Sequence, residues 1–193
     1  MRHFLNFAII TFLMAGTVSA QHINIGIKGG LNLYTIANDN SNSNEIRPAF
    51  NAGILGHIHL ASQWALQPEV VFSAQGANYT VGELDAKLKL NYINIPVLIQ
   101  YMFDNGFRLE AGPQLGVLIS AKSSINDINT DVKSTFKTVE FGLGAGASYV
   151  SPKSGIGVDI RFNLGLSNIN ENTATVSTNR GVQAGVFYLF DHQ

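Results

Sequence analysis

Seven charged side chains fall on one phase of an alternating sequence: Lys28, Glu69, Arg108, Glu110, Glu140, Asp159 and Arg161. Carboxylates gathered in one site can divide general acid and general base work when their surroundings push their pKa values apart. The same residues, four acidic and three basic, can instead neutralise one another, as charges removed from water must. The near-balance favours the second use, an ion-pair network that fills an interior and fixes strand register. His57 and His59 lie two apart and so project from one face of an extended segment. With Glu69 they could hold a metal; the plainer reading, and the favoured one, is a pair that hydrogen-bonds in the lumen. Cysteine is absent, which removes disulfides, thiolate ligands and a thiol nucleophile. Gly142, Gly144 and Gly146 have part of a nucleotide-loop spacing, but no helix pattern follows to offer its N-terminus to a phosphate. No Ser-His-Asp pattern is recognisable. The expectation is therefore no catalytic residue, no cofactor and no metal.

The elements that position these side chains have period two, the strand period. Apolar rows run over Ile23–Thr35, Phe50–Leu60, Trp64–Ala74, Ile93–Phe103, Phe107–Ile119, Val139–Tyr149, Ile156–Leu166 and Val182–Phe190. Leu88, Leu90 and Tyr92 precede the fourth row in the opposite phase, which suggests a bulge or twist near Asn91. Asp104-Asn105-Gly106 predicts a tight hairpin turn. Polar stretches at Ala37–Arg47, Gln75–Lys87, Ala121–Lys137 and Asn168–Asn179 read as long loops, alternating with short turns. Eight strands with this rhythm predict an all-β, closed, antiparallel up-and-down barrel.

Alternation alone does not say which face meets water. A soluble lipid-binding barrel turns its apolar row inward; a transmembrane β-barrel turns it outward. Charged residues are only 13% of the chain, about half the usual share, and none falls in the eight apolar rows. The polar rows are rich in glycine, as a crowded eight-stranded interior requires. Trp64, Tyr101, Phe103, Phe107, Tyr149, Tyr188 and Phe190 gather near the short turns, where an interfacial aromatic girdle would sit. These features select lipid outside and charge inside. A formal net charge of −1 gives no basic stripe for nucleic acid.

The first twenty residues read as a cleaved secretory signal peptide, with Arg2 in the n-region, an apolar run from Phe4 to Met14, and cleavage before Gln21. Residues 21–193 then form the barrel domain.

Four stretches carry a resemblance: Gly26–Asn32 (GIKGGLN), Tyr92–Ile99 (YINIPVLI), Glu110–Gly116 (EAGPQLG) and Arg161–Leu166 (RFNLGL). Taken in order they resemble strands of the PorT-like outer-membrane β-barrel family of Gram-negative bacteria. Gln183, Gly185, Tyr188 and Phe190 are similar to the C-terminal signal read by the barrel assembly machinery, except that three residues follow Phe190. The resemblance implies an outer-membrane barrel and leaves the function open; the role the residues support best is non-enzymatic, structural or surface-interaction. The alternatives are a narrow transporter of a small solute and an accessory subunit of a secretion or assembly complex. The implied partners are outer-membrane lipid, the assembly machinery during biogenesis, and a protein or glycan at the long loops. Within the Asn38–Asn44 loop, Asp39 could contribute to a sugar or calcium contact.

Overall fold

A computed structural model describes residues 23–38, 44–82, 84–126 and 128–190. The expected signal segment 1–20 and Asp39 lie outside the described residues. The described residues form nine strands: β1 (Ile23–Asn38), β2 (Glu45–His59), β3 (Trp64–Val81), β4 (Leu84–Met102), β5 (Phe107–Ile125), β6 (Ile128–Asp131), β7 (Val139–Val150), β8 (Ile156–Gly165) and β9 (Ser177–Leu189). Eight of them close a ring of antiparallel neighbours; β6 hangs on β5 as a short hairpin outside the ring. The seam is β1 against β9, in register from Gly26↔Leu189 to Asn38↔Ser177. Closure leaves the eight-stranded ring without an unpaired edge, which a bilayer would not tolerate. Among the described residues no helix is long and apolar enough to cross a membrane.

The two faces separate as expected. Leu31 is 68% exposed and Phe141 60%, whereas Arg161, at 1%, is among the most buried side chains. The outer wall carries the isoleucines, leucines, valines and phenylalanines of the apolar rows. The aromatic girdle is continuous over three strands: Trp64, Tyr101, Phe103 and Phe107 follow one another at centroid separations of 5.1, 5.0 and 5.7 Å. Phe107 in turn pairs with Tyr149. Along β4 the uncharged outer row from Ile93 to Phe103 covers about 25 Å, at ~3.3 Å per residue and ~40° tilt, the height of a barrel's apolar band. Beyond it the same row carries Lys89 and Lys87.

Two of the stretches expected as loops are largely strand. Gln75–Lys87 continues β3 and β4 as a hairpin that turns at Gly82, and the first residues of Ala121–Lys137 continue β5 and fold back as β6. β3, β4 and β5 hold 18, 19 and 19 residues, against the ~9–11 that cross a bilayer. The excess forms a ridge standing clear of the apolar band.

The phase change before Ile93 also has a different cause. β4 keeps its alternation throughout; Leu90 and Tyr92 point inward and are buried. The irregularity lies on β5, where Asn91↔Ser120 is followed by Tyr92↔Leu118, so that Ile119 is the extra residue. The inward apolar residues meet Ile36, Ala77, Leu118, Ala121 and Ile169 in a small core at the long-loop end. The hairpin at Asp104-Asn105-Gly106 forms, but only Gly106 takes a positive φ, +89°. Its N–H donates to Phe103 O at 3.1 Å.

Candidate functional site

Around the middle of the lumen, β8 presents Arg161 towards strands on the far side of the ring. Its Nη1 and Nη2 donate to the two oxygens of Glu69 on β3, at 3.1 and 2.9 Å. Its Nε and Nη2 donate to Glu110 Oε1 on β5, at 2.9 and 2.7 Å. Lys28 on β1 lies 3.3 Å from Glu69 Oε2 and 3.2 Å from Asp159 Oδ2. Five of the seven singled-out charges thus form one cluster tying β1, β3, β5 and β8. Gln67 donates to Glu69 at 2.8 Å and Gln100 to Glu110 at 2.7 Å, and Gln100 also donates to Gln67. Charge-assisted and bidentate bonds of this kind are the strong ones, and they offset the large cost of taking five ions out of water.

Glycine makes the room. A Cβ on Gly144 would sit 3.1 Å from Arg161 Cδ and 3.0 Å from Asn163 Oδ1. One on Gly146 would sit 2.9 Å from Arg161 Cα. Gly144 and Gly146 of β7 therefore accommodate the stem of the guanidinium.

The other two charges stand apart. Arg108 Nη1 is 3.4 Å from His57 Nδ1. Glu140 accepts from Asn179 Nδ2 at 2.8 Å, and the same amide reaches Tyr92 Oη at 3.4 Å. The histidines meet edge to face, centroids 4.6 Å apart. Glu69, their candidate third ligand, is committed to Lys28 and Arg161. Among the described residues no group of three or more His, Asp or Glu is placed to hold a metal. Gln183 and Gly185 face the lumen; Tyr188 and Phe190 face outward with rings 5.2 Å apart.

Sequence reasoning missed what lies above and below the charges. Above, towards the long loops, an amide ladder crosses from β1 to β3: Asn51 donates to Asn32 Oδ1 at 2.9 Å, and Asn32 donates to Ser73 Oγ at 3.0 Å and Ala74 O at 2.8 Å. Beyond it lies the core of Leu90, Tyr92 and Leu118. Below, Leu55, Val150, Phe187 and Leu189 form a second apolar cluster. The ion-paired layer therefore sits between two greasy ones. Outside the first of these, the mouth holds an open cavity of about 360 Å³, with Ile36, Leu88 and Phe136 at its base and Asn38, Asn172 and Thr175 on its rim. For the upper core the signal was the opposite phase of Leu88, Leu90 and Tyr92; for the ladder there was none beyond polarity.

An apolar wall of bilayer height around a charged, filled lumen is the anatomy of a small bacterial outer-membrane barrel. A family model described as outer membrane protein beta-barrel domain matches residues 19–171. The chain belongs to this family. Similar solved structures include the attachment invasion locus protein Ail of Yersinia pestis, at 14% identity and a TM-score of 0.53, covering 86% of this chain and 98% of that one. Ail in complex with the heparin analogue sucrose octasulfate gives 14%, 0.55, 88% and 99%. Neisserial surface protein A gives 12%, 0.53, 89% and 100%. At these identities the likeness is one of fold. No curated protein matches the chain. The membrane of this outer-membrane barrel is the bacterial outer membrane, and in such barrels the short turns face the periplasm and the long loops the outside.

Proposed function

We propose that this outer-membrane barrel is a non-enzymatic surface protein whose lumen is a structural plug and whose work is done by the outward ridge and loops. The observation that carries this reading is the layering of the lumen: the five-ion cluster lies between the apolar layers of Leu90, Tyr92 and Leu118 and of Leu55, Phe187 and Leu189. A solute would have to break several buried ion pairs and then cross two greasy layers. The cluster serves to hold register across the ring.

The same reading takes residues 1–20 as the export signal, and Gln183, Gly185, Tyr188 and Phe190 as the segment the assembly machinery reads. The PorT-like resemblance of the strands at Gly26–Asn32 and Tyr92–Ile99 supports a second role, as an accessory subunit of a secretion or assembly complex. Co-purification with other envelope proteins is the measurement that favours it over the first. Planar-bilayer recording tests the plug: the purified barrel should show no large, stable conductance, and a steady open channel would overturn the assignment. Fractionation with protease added to intact cells tests the orientation. The barrel should require detergent for release and be cut first in the loop between β8 and β9.

A further inference from the structure

The mouth cavity has the make-up of a ligand site. Its volume is about 360 Å³, within the range of small-molecule sites. Its sides come from the inward rows of β1, β3 and β4 and from two loops that brace one another. Phe136 and Asn170 form a β-bridge. Lys137 N donates to Ile169 O at 2.7 Å, and Glu171 N to Thr135 O at 3.0 Å. The wall carrying Phe136 is thus built before any ligand arrives.

Three features define what would fit. Among the described residues that line the cavity none is charged, so an ionic ligand would leave water without a counter-charge from them. The base is apolar and partly aromatic, with Phe136 and Leu88 packed on the buried core beneath. The rim is amide and hydroxyl, and Asn38 Oδ1 is buried and accepts no hydrogen bond among the described residues. A buried acceptor without a donor is costly, and a ligand hydroxyl would satisfy it. An uncharged molecule with one apolar face, several hydroxyls and the bulk of one or two rings is a neutral saccharide. We propose that the mouth cavity binds a neutral sugar, either free or at the end of a glycan chain, with its apolar face on Phe136 and a hydroxyl donated to Asn38. This rests on the surface-protein reading and names the ligand class for it.

The test uses the full-length barrel refolded in a detergent without a sugar headgroup, titrated calorimetrically with maltose, N-acetylglucosamine and fucose. At least one should bind saturably, with an affinity that does not change between low and high salt. Asn38→Ala and Phe136→Leu, both confirmed as folded by heat-modifiable migration, should each weaken binding by about tenfold or more, the scale of a lost buried hydrogen bond or apolar contact. A glycan array probed with the same protein separates the sources: retention on neutral chain ends points to a glycan, binding in solution alone to a free sugar. Failure of all three sugars, unchanged affinity in both variants, or stronger binding of sucrose octasulfate that fades with salt would each overturn the proposal. A sealed lumen in the bilayer recording, with no sugar bound, would overturn the ligand and leave the surface-protein reading standing.

Discussion

Arg161 shows what a single buried charge does in a narrow barrel. It holds two carboxylates from two other strands, and each of those also touches a glutamine or Lys28. Arg161→Ala removes the shared cation, leaving Glu69 with Lys28 alone and Glu110 buried without its ion-pair partner. We expect a loss of about 3–5 kcal/mol, measured by urea unfolding in micelles with the emission of Trp64, the only tryptophan. Adding Glu69→Gln and Glu110→Gln should restore much of it, since apolar or neutral replacements of a whole buried cluster are tolerated far better than half of one. Glycines divide in the same way. Gly144→Leu should displace the Arg161 stem and cost about 1–3 kcal/mol, as overpacking does. Gly29 faces lipid, and a Cβ there would find its nearest neighbour, Asn51 O, at 3.7 Å. Gly29→Ala should therefore stay within about 0.5 kcal/mol of the parent.

At the level of elements, β4 contains both environments of the outer wall. Val97 lies within the apolar band and Lys89 beyond it. Val97→Arg should destabilise the barrel by about 2–4 kcal/mol, the cost of a cation near the bilayer midplane, whereas Lys89→Leu should change little; parallel unfolding titrations decide between them. One residue interrupts the alternation of β5. Ile119 is the extra member opposite Asn91 and Tyr92, and beyond it Ala121 faces the interior while Lys122 faces out. Because Leu118 and Ala121 already face inward on either side of the extra residue, deleting Ile119 should leave one regular ladder, Tyr92↔Leu118 followed by Asn91↔Ser120, with Lys122 still outside. The ridge should stay protease-resistant and the membrane-spanning part should keep its heat-modifiable migration on a gel; cleavage within β5 above Leu118 would count against the bulge assignment.

As a whole the molecule is a closed ring filled in layers, with a ridge and loops beyond the membrane. Closure needs β1 and β9 to pair although they are at opposite ends of the described chain, and lipid makes that pairing obligatory because it offers the backbone no hydrogen bonds. The eight-strand count and the outward direction of the apolar rows were legible in the sequence, since both rest on local alternation. The ridge was not. Gln75–Lys87 and Ala121–Lys137 are polar, as strands are when water lies on one side, and polarity alone does not distinguish them from loops.

The sequence by itself determined which side chains share a face, because neighbours along a strand alternate whatever the strand packs against. It thereby set the charged row, the greasy row and the aromatic ends. Tertiary structure alone decided which charge meets which: Arg161 is 92 residues from Glu69 and 51 from Glu110, and only the curvature and register of the closed ring bring them within hydrogen-bonding distance. It left Glu140 with Asn179 instead of a cation. It also gathered Ile36, Leu90 and Ile169 into one core, because contacts across a lumen depend on the height of each strand, and no pattern within a single strand records that height.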